Sequence, residues 1–164
     1  MTTPKIQRFK DRYPTVTSWN LNLLDEGIPI VILAVNEPNA GLITALGSQL
    51  LADDELSSVK VFILLDDKAD THDLSTVCWL SCANIDPERD IRIAESPYQQ
   101  IVVDACMKYP HRYDFPREWP NVVTATEETI RIIDEKWERL GLGNFVPSLS
   151  LKFLKMKMGN GAKV

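Results

Sequence analysis

Apolar positions change period several times along this chain, and each change marks an element. Residues 29–35 (Pro-Ile-Val-Ile-Leu-Ala-Val) are an unbroken, largely β-branched run. Such a run predicts a strand buried on both faces, as in a parallel sheet. Residues 59–65 predict a second one. Before them, polar and apolar side chains alternate from Val16 to Leu24, the period of a half-buried strand, and Asp25-Glu-Gly27 is a turn. Between the two buried strands, Asn36-Glu-Pro-Asn-Ala-Gly41 breaks the run. Ile43, Leu46, Leu50 and Leu51 then recur at helical spacing and predict a helix over 42–52.

After the second strand the pattern becomes helical again. Asp70 or Thr71 can start this helix by accepting hydrogen bonds from unpaired backbone amides. Asp73 then sits in the first turn, where a negative charge suits the helix dipole. Leu74, Val77, Cys78 and Ser81 share the predicted inward face, and Pro87 ends the pattern. Residues 91–94 and 101–103 read as short strands. Residues 109–120 hold three prolines and four aromatics and predict a stiff loop. Thr124-Ala-Thr-Glu127 reads as a capping box. It opens a helix through Leu140 with Ile130, Ile133, Trp137 and Leu140 as its stripe and Gly141 just past its end. The predicted organisation is an arm or short helix over 1–14, an α/β domain over 15–145 and a basic-apolar tail over 146–164. Strands alternating with helices predict a three-layer α/β sandwich with a mixed, largely parallel sheet.

Composition narrows the function. The 164 residues suffice for a sizeable core, and a net charge of -5 argues against a nucleic-acid partner. No apolar run reaches the length of a membrane span. Lys5, Arg8 and Lys10 are followed by no apolar stretch, so the start does not read as a signal peptide. Three cysteines without a repeated short spacing suit unpaired thiols in a cytoplasmic protein.

Candidate chemistry is sparse. Asp66, Asp67, Asp70, His72 and Asp73 could bind a hard cation just past a strand end. They lack the glycine and terminal glutamate of an EF-hand loop, and the simpler reading is a turn whose acids cap a helix. His72 and His111 are the only histidines, and no spacing ties them to Asp104 or Asp114 as an acid–base pair. Cys78 and Cys82 lie four apart on one helix, which permits two metal ligands but not a zinc site. Core packing is the expected role for both, and for Cys106 beside Asp104. The turn ending in Gly41 carries a single glycine, too little for a phosphate loop.

Several separated motifs, in order, resemble the C-terminal domain of the UbiD family of decarboxylases and carboxylases. They are Val31-Ile-Leu-Ala-Val35 with Pro38-Asn-Ala-Gly41, the run from Val61 to Asp73, Val77-Cys-Trp79, and Asp86-Pro-Glu-Arg-Asp90. Val103-Asp-Ala105, Pro116-Arg-Glu-Trp-Pro120 and Lys136-Trp-Glu138 continue the match. The resemblance implies the α/β sandwich of that domain and a link to prenylated flavin mononucleotide, which such enzymes use to interconvert an aromatic or α,β-unsaturated acid with its decarboxylated form. In the family the cofactor phosphate, its metal and the catalytic Arg and Glu residues belong to regions preceding this domain. The resemblance therefore assigns no catalytic, cofactor-binding or metal residue here. It places prenylated FMN and a divalent metal in a larger UbiD-like partner subunit.

This domain, in the family, covers the active site by hinge motion and builds the oligomer. Two departures stand out: Cys106 where Thr is common, and a shortened connection from Asp90 to Val103. The latter puts Pro97 and Tyr98 in doubt as substrate-proximal residues. The expected function is a small, non-catalytic subunit with an assembly or gating role. Tyr113, Phe115, Trp119, Phe153 and Leu154 are its candidate partner contacts. The rival is a free-standing protein binding a metal or anion at residues 66–73.

Overall fold

The computed structural model describes residues 3–94 and 98–156, with side chains from Arg8 onward. The chain forms two compact units, Met1–Arg117 and Glu118–Val164. The sequence pattern suggests instead one domain over 15–145 between an arm and a tail.

The first unit holds one sheet of five strands: β1 (Val16–Asn20), β2 (Ile30–Val35), β3 (Val61–Asp66), β4 (Ile91–Ala94) and β5 (Gln100–Asp104). Their order is β1-β2-β3-β5-β4. The central strands β2, β3 and β5 run parallel, and β1 and β4 are antiparallel edges. The sheet is thus mixed and largely parallel, as the apolar runs predict.

One face of the sheet presents Val31, Leu33, Val35, Phe62, Leu64 and Val102 to a single apolar cluster. Helix α1 (Thr3–Arg12) adds Phe9 to it, and helix α3 (Ala40–Leu51) adds Ile43, Leu46 and Leu50. Phe9 stacks on Trp19 at 5.2 Å between ring centroids, so the N-terminal segment takes the short-helix form and is anchored in the core through Phe9. Because side chains alternate along a strand, Ile32, Ala34, Leu65 and Val103 point to the opposite face. There helix α4 (Leu74–Asn84) packs on β3 and buries Val77 and Leu80. Helices on both faces complete the sandwich.

Local chemistry explains where element ends depart from expectation. Asn20 Oδ1 accepts from the Asn22 N–H at 3.0 Å, which stops β1 and starts the one-turn helix α2 (Asn22–Asp25). Asn39 caps α3 by accepting from Leu42 N–H at 3.0 Å. Helix α4 starts at Leu74, not at 70 or 71, because Asp73 is the side chain that accepts from Thr76 N–H, at 3.1 Å. Asp70 instead closes a turn on His72 N–H at 2.9 Å.

The inward face of α4 also differs from the predicted one. It is Thr76, Val77, Leu80 and Asn84, while Leu74 and Cys78 face solvent. The reason is hydrogen bonding: Asn84 Nδ2 donates to the Ala105 carbonyl at 2.9 Å, and Thr76 Oγ1 to Asp73 at 2.7 Å. Pro87 does not simply end a helix but begins the one-turn α5 (Pro87–Asp90), a position where its missing N–H costs nothing. A further turn, α6 (Pro110–Tyr113), lies inside the predicted stiff loop.

In the second unit, helix α7 (Glu127–Leu140) is capped by Thr126, whose Oγ1 accepts from Thr129 N–H at 3.1 Å. The cap is therefore two residues later than the predicted box at Thr124, and Thr129 replaces the glutamate that would reciprocate. Gly141 ends α7 at φ +64°, in the left-handed region glycine favours. A turn, α8 (Ser150–Phe153), follows.

Candidate functional site

A polar cluster gathers where the parallel strands end, the edge at which α/β sheets bind ligands. β3 ends on Asp66, β5 ends on Asp104 and α5 ends on Asp90. The segment after β5 inserts Lys108, which is 1% exposed. Its ammonium donates to the Asp104 and Cys106 carbonyls at 3.0 and 2.7 Å. It also lies 3.3 Å from Asp104 Oδ1, 3.7 Å from Asp90 Oδ1 and 5.0 Å from the Tyr113 ring centroid. An ammonium this deep is tolerable only when paired and hydrogen-bonded, and this one is both. Lys108 acts as a built-in cation holding Asp90 and Asp104, acids of two segments, together.

Asp66 sits beside this cluster. Its Oδ2 accepts from Met107 N–H at 2.8 Å, while its buried Oδ1 has no hydrogen-bond partner. Burial pushes its pKa up to about 6. Burial likewise raises the Cys106 thiol and the Tyr113 hydroxyl, so neither supplies a nucleophile near neutral pH.

Next to Lys108 lies a cleft of about 140 Å³, walled by Ala40, Ile43, Tyr113 and Phe115. Arg89 and Arg92 also line it. Arg89 grips Asp90 through two bonds, at 2.8 and 2.6 Å, and sits 5.1 Å from the Phe115 ring centroid. Arg92 donates to the Thr44 carbonyl at 3.2 Å. Three cations (Arg89, Arg92, Lys108) face two carboxylates (Asp90, Asp104) in the lining. The cleft is thus net positive with apolar walls, a setting for a small anion.

The sequence-predicted acidic cluster is not brought together as a cation site. Asp67 pairs with Lys68 at 2.6 Å, Asp70 and Asp73 cap backbone turns, and His72 is exposed. Among the described residues no group of three or more His, Cys, Asp or Glu is placed to hold a metal ion. His111 stacks on Tyr109 at 5.8 Å, and Asp104 is engaged by Lys108 and the Cys106 N–H. Cys106 is buried as expected, but Cys78 and Cys82 are exposed, against expectation.

Tyr98 lies before β5, at the opposite end of that strand from the cleft, and its hydroxyl donates to Asp54 at 2.7 Å. Pro97 lies outside the described residues. Of the expected partner contacts, Tyr113 and Phe115 wall the cleft, Trp119 is buried, and Phe153 and Leu154 are half-buried.

Sequence reasoning missed a more prominent feature in the second unit. Leu142, Phe145, Val146 and Leu149 are 62%, 53%, 59% and 74% exposed. A groove of about 300 Å³ runs beside them between Ile130, Ile133, Trp137, Val146 and Pro147. Trp137 braces the stretch, with Nε1 donating to the Gly143 carbonyl at 3.1 Å and its ring edge-on to Phe145 at 5.6 Å. The available signal was a run, residues 141–151, with five large apolar side chains and no charge.

The comparisons agree with this architecture. An uncharacterized protein of Aeropyrum pernix is 24% identical over 131 residues, covering 71% of this chain and 26% of that protein. The closed form of Sedimentibacter hydroxybenzoicus vanillic acid decarboxylase is similar in fold, with TM-score 0.65 and 21% identity over 86% of this chain and 32% of that one. An evolved dimeric form of the UbiD-class enzyme HmfF from Pelotomaculum thermopropionicum, in complex with prenylated FMN, gives TM-score 0.50 at 20% identity, covering 62% and 23%. This chain spans a third or less of the length of each of these. No helix among the described residues is long and apolar enough to cross a membrane. The family model for the 3-octaprenyl-4-hydroxybenzoate carboxy-lyase C-terminal domain, that of UbiD, matches residues 1–108. With the sheet, the Lys108-centred strand edge and most of the chain accounted for by that match, the protein belongs to the UbiD C-terminal domain family.

Proposed function

We propose that this chain is a small, non-catalytic subunit of a multi-subunit UbiD-type carboxylase or decarboxylase acting on an aromatic acid or a phenolic substrate. Its role is assembly or gating of the active site. The observation that carries this reading is the uncharged, exposed row Leu142, Phe145, Val146 and Leu149 beside the groove on α7. A contiguous apolar surface of this kind marks a protein–protein contact. The vanillic acid decarboxylase structures add support, since they describe an assembly (ShVdcCD) with a separate ShVdcD component. Prenylated FMN and its divalent metal would be carried by the larger partner, where the flavin supplies the decarboxylation chemistry. Among the described residues no group of three or more His, Cys, Asp or Glu is placed to hold that divalent metal. This chain's part is to bind the partner and to present the positive cleft at the sheet edge.

The test is native mass spectrometry of the chain isolated anaerobically from its own cells. A complex with a larger UbiD-like chain and bound flavin is expected. A lone monomer or homo-oligomer overturns the reading. The double variant Leu142→Asp, Phe145→Asp should stay folded yet weaken association at least about 10-fold, because both residues belong to the exposed row and the new charges would be buried by a partner.

A further inference from the structure

Helix α4 turns two thiols outward. Cys78 and Cys82 are both exposed free thiols, four residues apart. Residues at i and i+4 stand one above the other on a helix, with Cβ atoms about 5–6 Å apart. A disulfide needs Cβ atoms at about 3.5–4.5 Å. The pair therefore cannot close on itself while α4 remains a helix. A single atom bonded to both sulfurs bridges the gap instead, since two metal–sulfur bonds of about 2.3 Å reach about 4.6 Å between sulfurs.

The surroundings select the kind of atom. Zinc in a structural site takes four ligands, and among the described residues no third His, Cys, Asp or Glu joins the pair. Helix α4 carries no charged side chain, and its outer face shows Leu74 and Trp79 at 48% and 44% exposure. A hard cation has nothing to hold it there. A soft ion content with two thiolates and an apolar surround fits.

We propose that Cys78 and Cys82 form a two-coordinate thiolate site for a soft monovalent ion, copper(I). Binding replaces two S–H protons with two Cu–S bonds. One Cu⁺ enters, two protons leave to solvent, the bis-thiolate carries one net negative charge, and nothing is oxidised or reduced. The site is independent of the apolar row on the second unit and stands whether or not the subunit reading does.

The experiment is anaerobic titration of the full chain with copper(I) against a competing chelator, read by native mass spectrometry and by the thiolate-to-copper charge-transfer absorption. One copper per chain is expected. Cys78→Ser and Cys82→Ser should each weaken binding by about 10²-fold or more, because a second tethered ligand contributes that much through effective concentration. Both sites are exposed, so both variants should fold, and circular dichroism checks this. Three results overturn the proposal: no copper bound, affinity unchanged in either variant, or one copper bridging two chains. Cys106 is retained throughout, so copper persisting in the double variant would assign the binding elsewhere.

Discussion

Phe62 and Phe145 show how differently the two units treat the same side chain. Phe62, on β3, has no exposed surface and packs among Val31, Leu33 and Leu64, whereas Phe145 stands 53% exposed against the edge of Trp137. In the first unit most large apolar groups point inward, with Ile28, Leu74, Trp79 and Ile93 as exposed exceptions, and a buried cation, Lys108, is paired with carboxylates. In the second unit the large apolar groups of residues 142–151 point outward and the helix α7 keeps only Ile130 buried. The first arrangement serves stability. The second leaves hydrophobic free energy unspent until something covers it.

Truncation should separate the two most sharply. Phe62→Ala is expected to cost about 3–5 kcal/mol, while Phe145→Ala should change stability by about 0.5 kcal/mol or less. Paired urea titrations read both. A large loss at Phe145 would mean that the second unit packs inward after all. Lys108→Ala should cost nearly as much as the core truncation, about 3–5 kcal/mol, because it leaves Asp104 buried without its cation and Asp90 with Arg89 alone. Lys108→Met keeps the bulk and also loses the charge. It should be similarly damaging, since the loss comes from the missing charge and not from missing volume.

Asp66 sharpens the same contrast through pH. Its pKa in the folded chain is raised to about 6, above the ordinary value of about 3.9. The folded state thus holds the proton more tightly than the unfolded one. The stability it lends is fully present below about pH 4 and is lost as pH rises to about 6, on the order of 2–3 kcal/mol in total. Asp66→Asn should flatten that slope. Equal slopes in the parent and the variant, measured by denaturant midpoints from pH 4 to 7, would place the titration elsewhere.

How much could be read beforehand follows the contrast of each segment. Strands β2 and β3 were plain because an unbroken β-branched run leaves few alternatives. Helix α7 was plain because Glu, Arg and Lys alternate with its apolar stripe. Helix α4 was found but misoriented. With no charge in Leu-Ser-Thr-Val-Cys-Trp-Leu-Ser-Cys-Ala-Asn, nothing in its sequence marks the wet side, and the decision falls to Asn84 reaching the Ala105 carbonyl. The Lys108 cluster was unreadable for a different reason. Its partners Asp90 and Asp104 come from separate segments, and a lysine between Met107 and Tyr109 carries no sign that it will be buried. The acids at 66–73 were legible as helix and turn caps, but not the single one, Asp66, that is sealed from water.

The sheet's order has a kinetic consequence. Its flanks, β1–β2 and β4–β5, are antiparallel pairs joined by short connections, so each can close early, as hairpins do in about 1–10 μs. Its centre cannot. Ile101 pairs with Val61 across the whole of α4, α5 and β4, and that long closure must be completed before β3 gains its second neighbour. Folding of the first unit should therefore be paced by β3 meeting β5, and substitutions along that seam should slow refolding more than equally costly ones in β1.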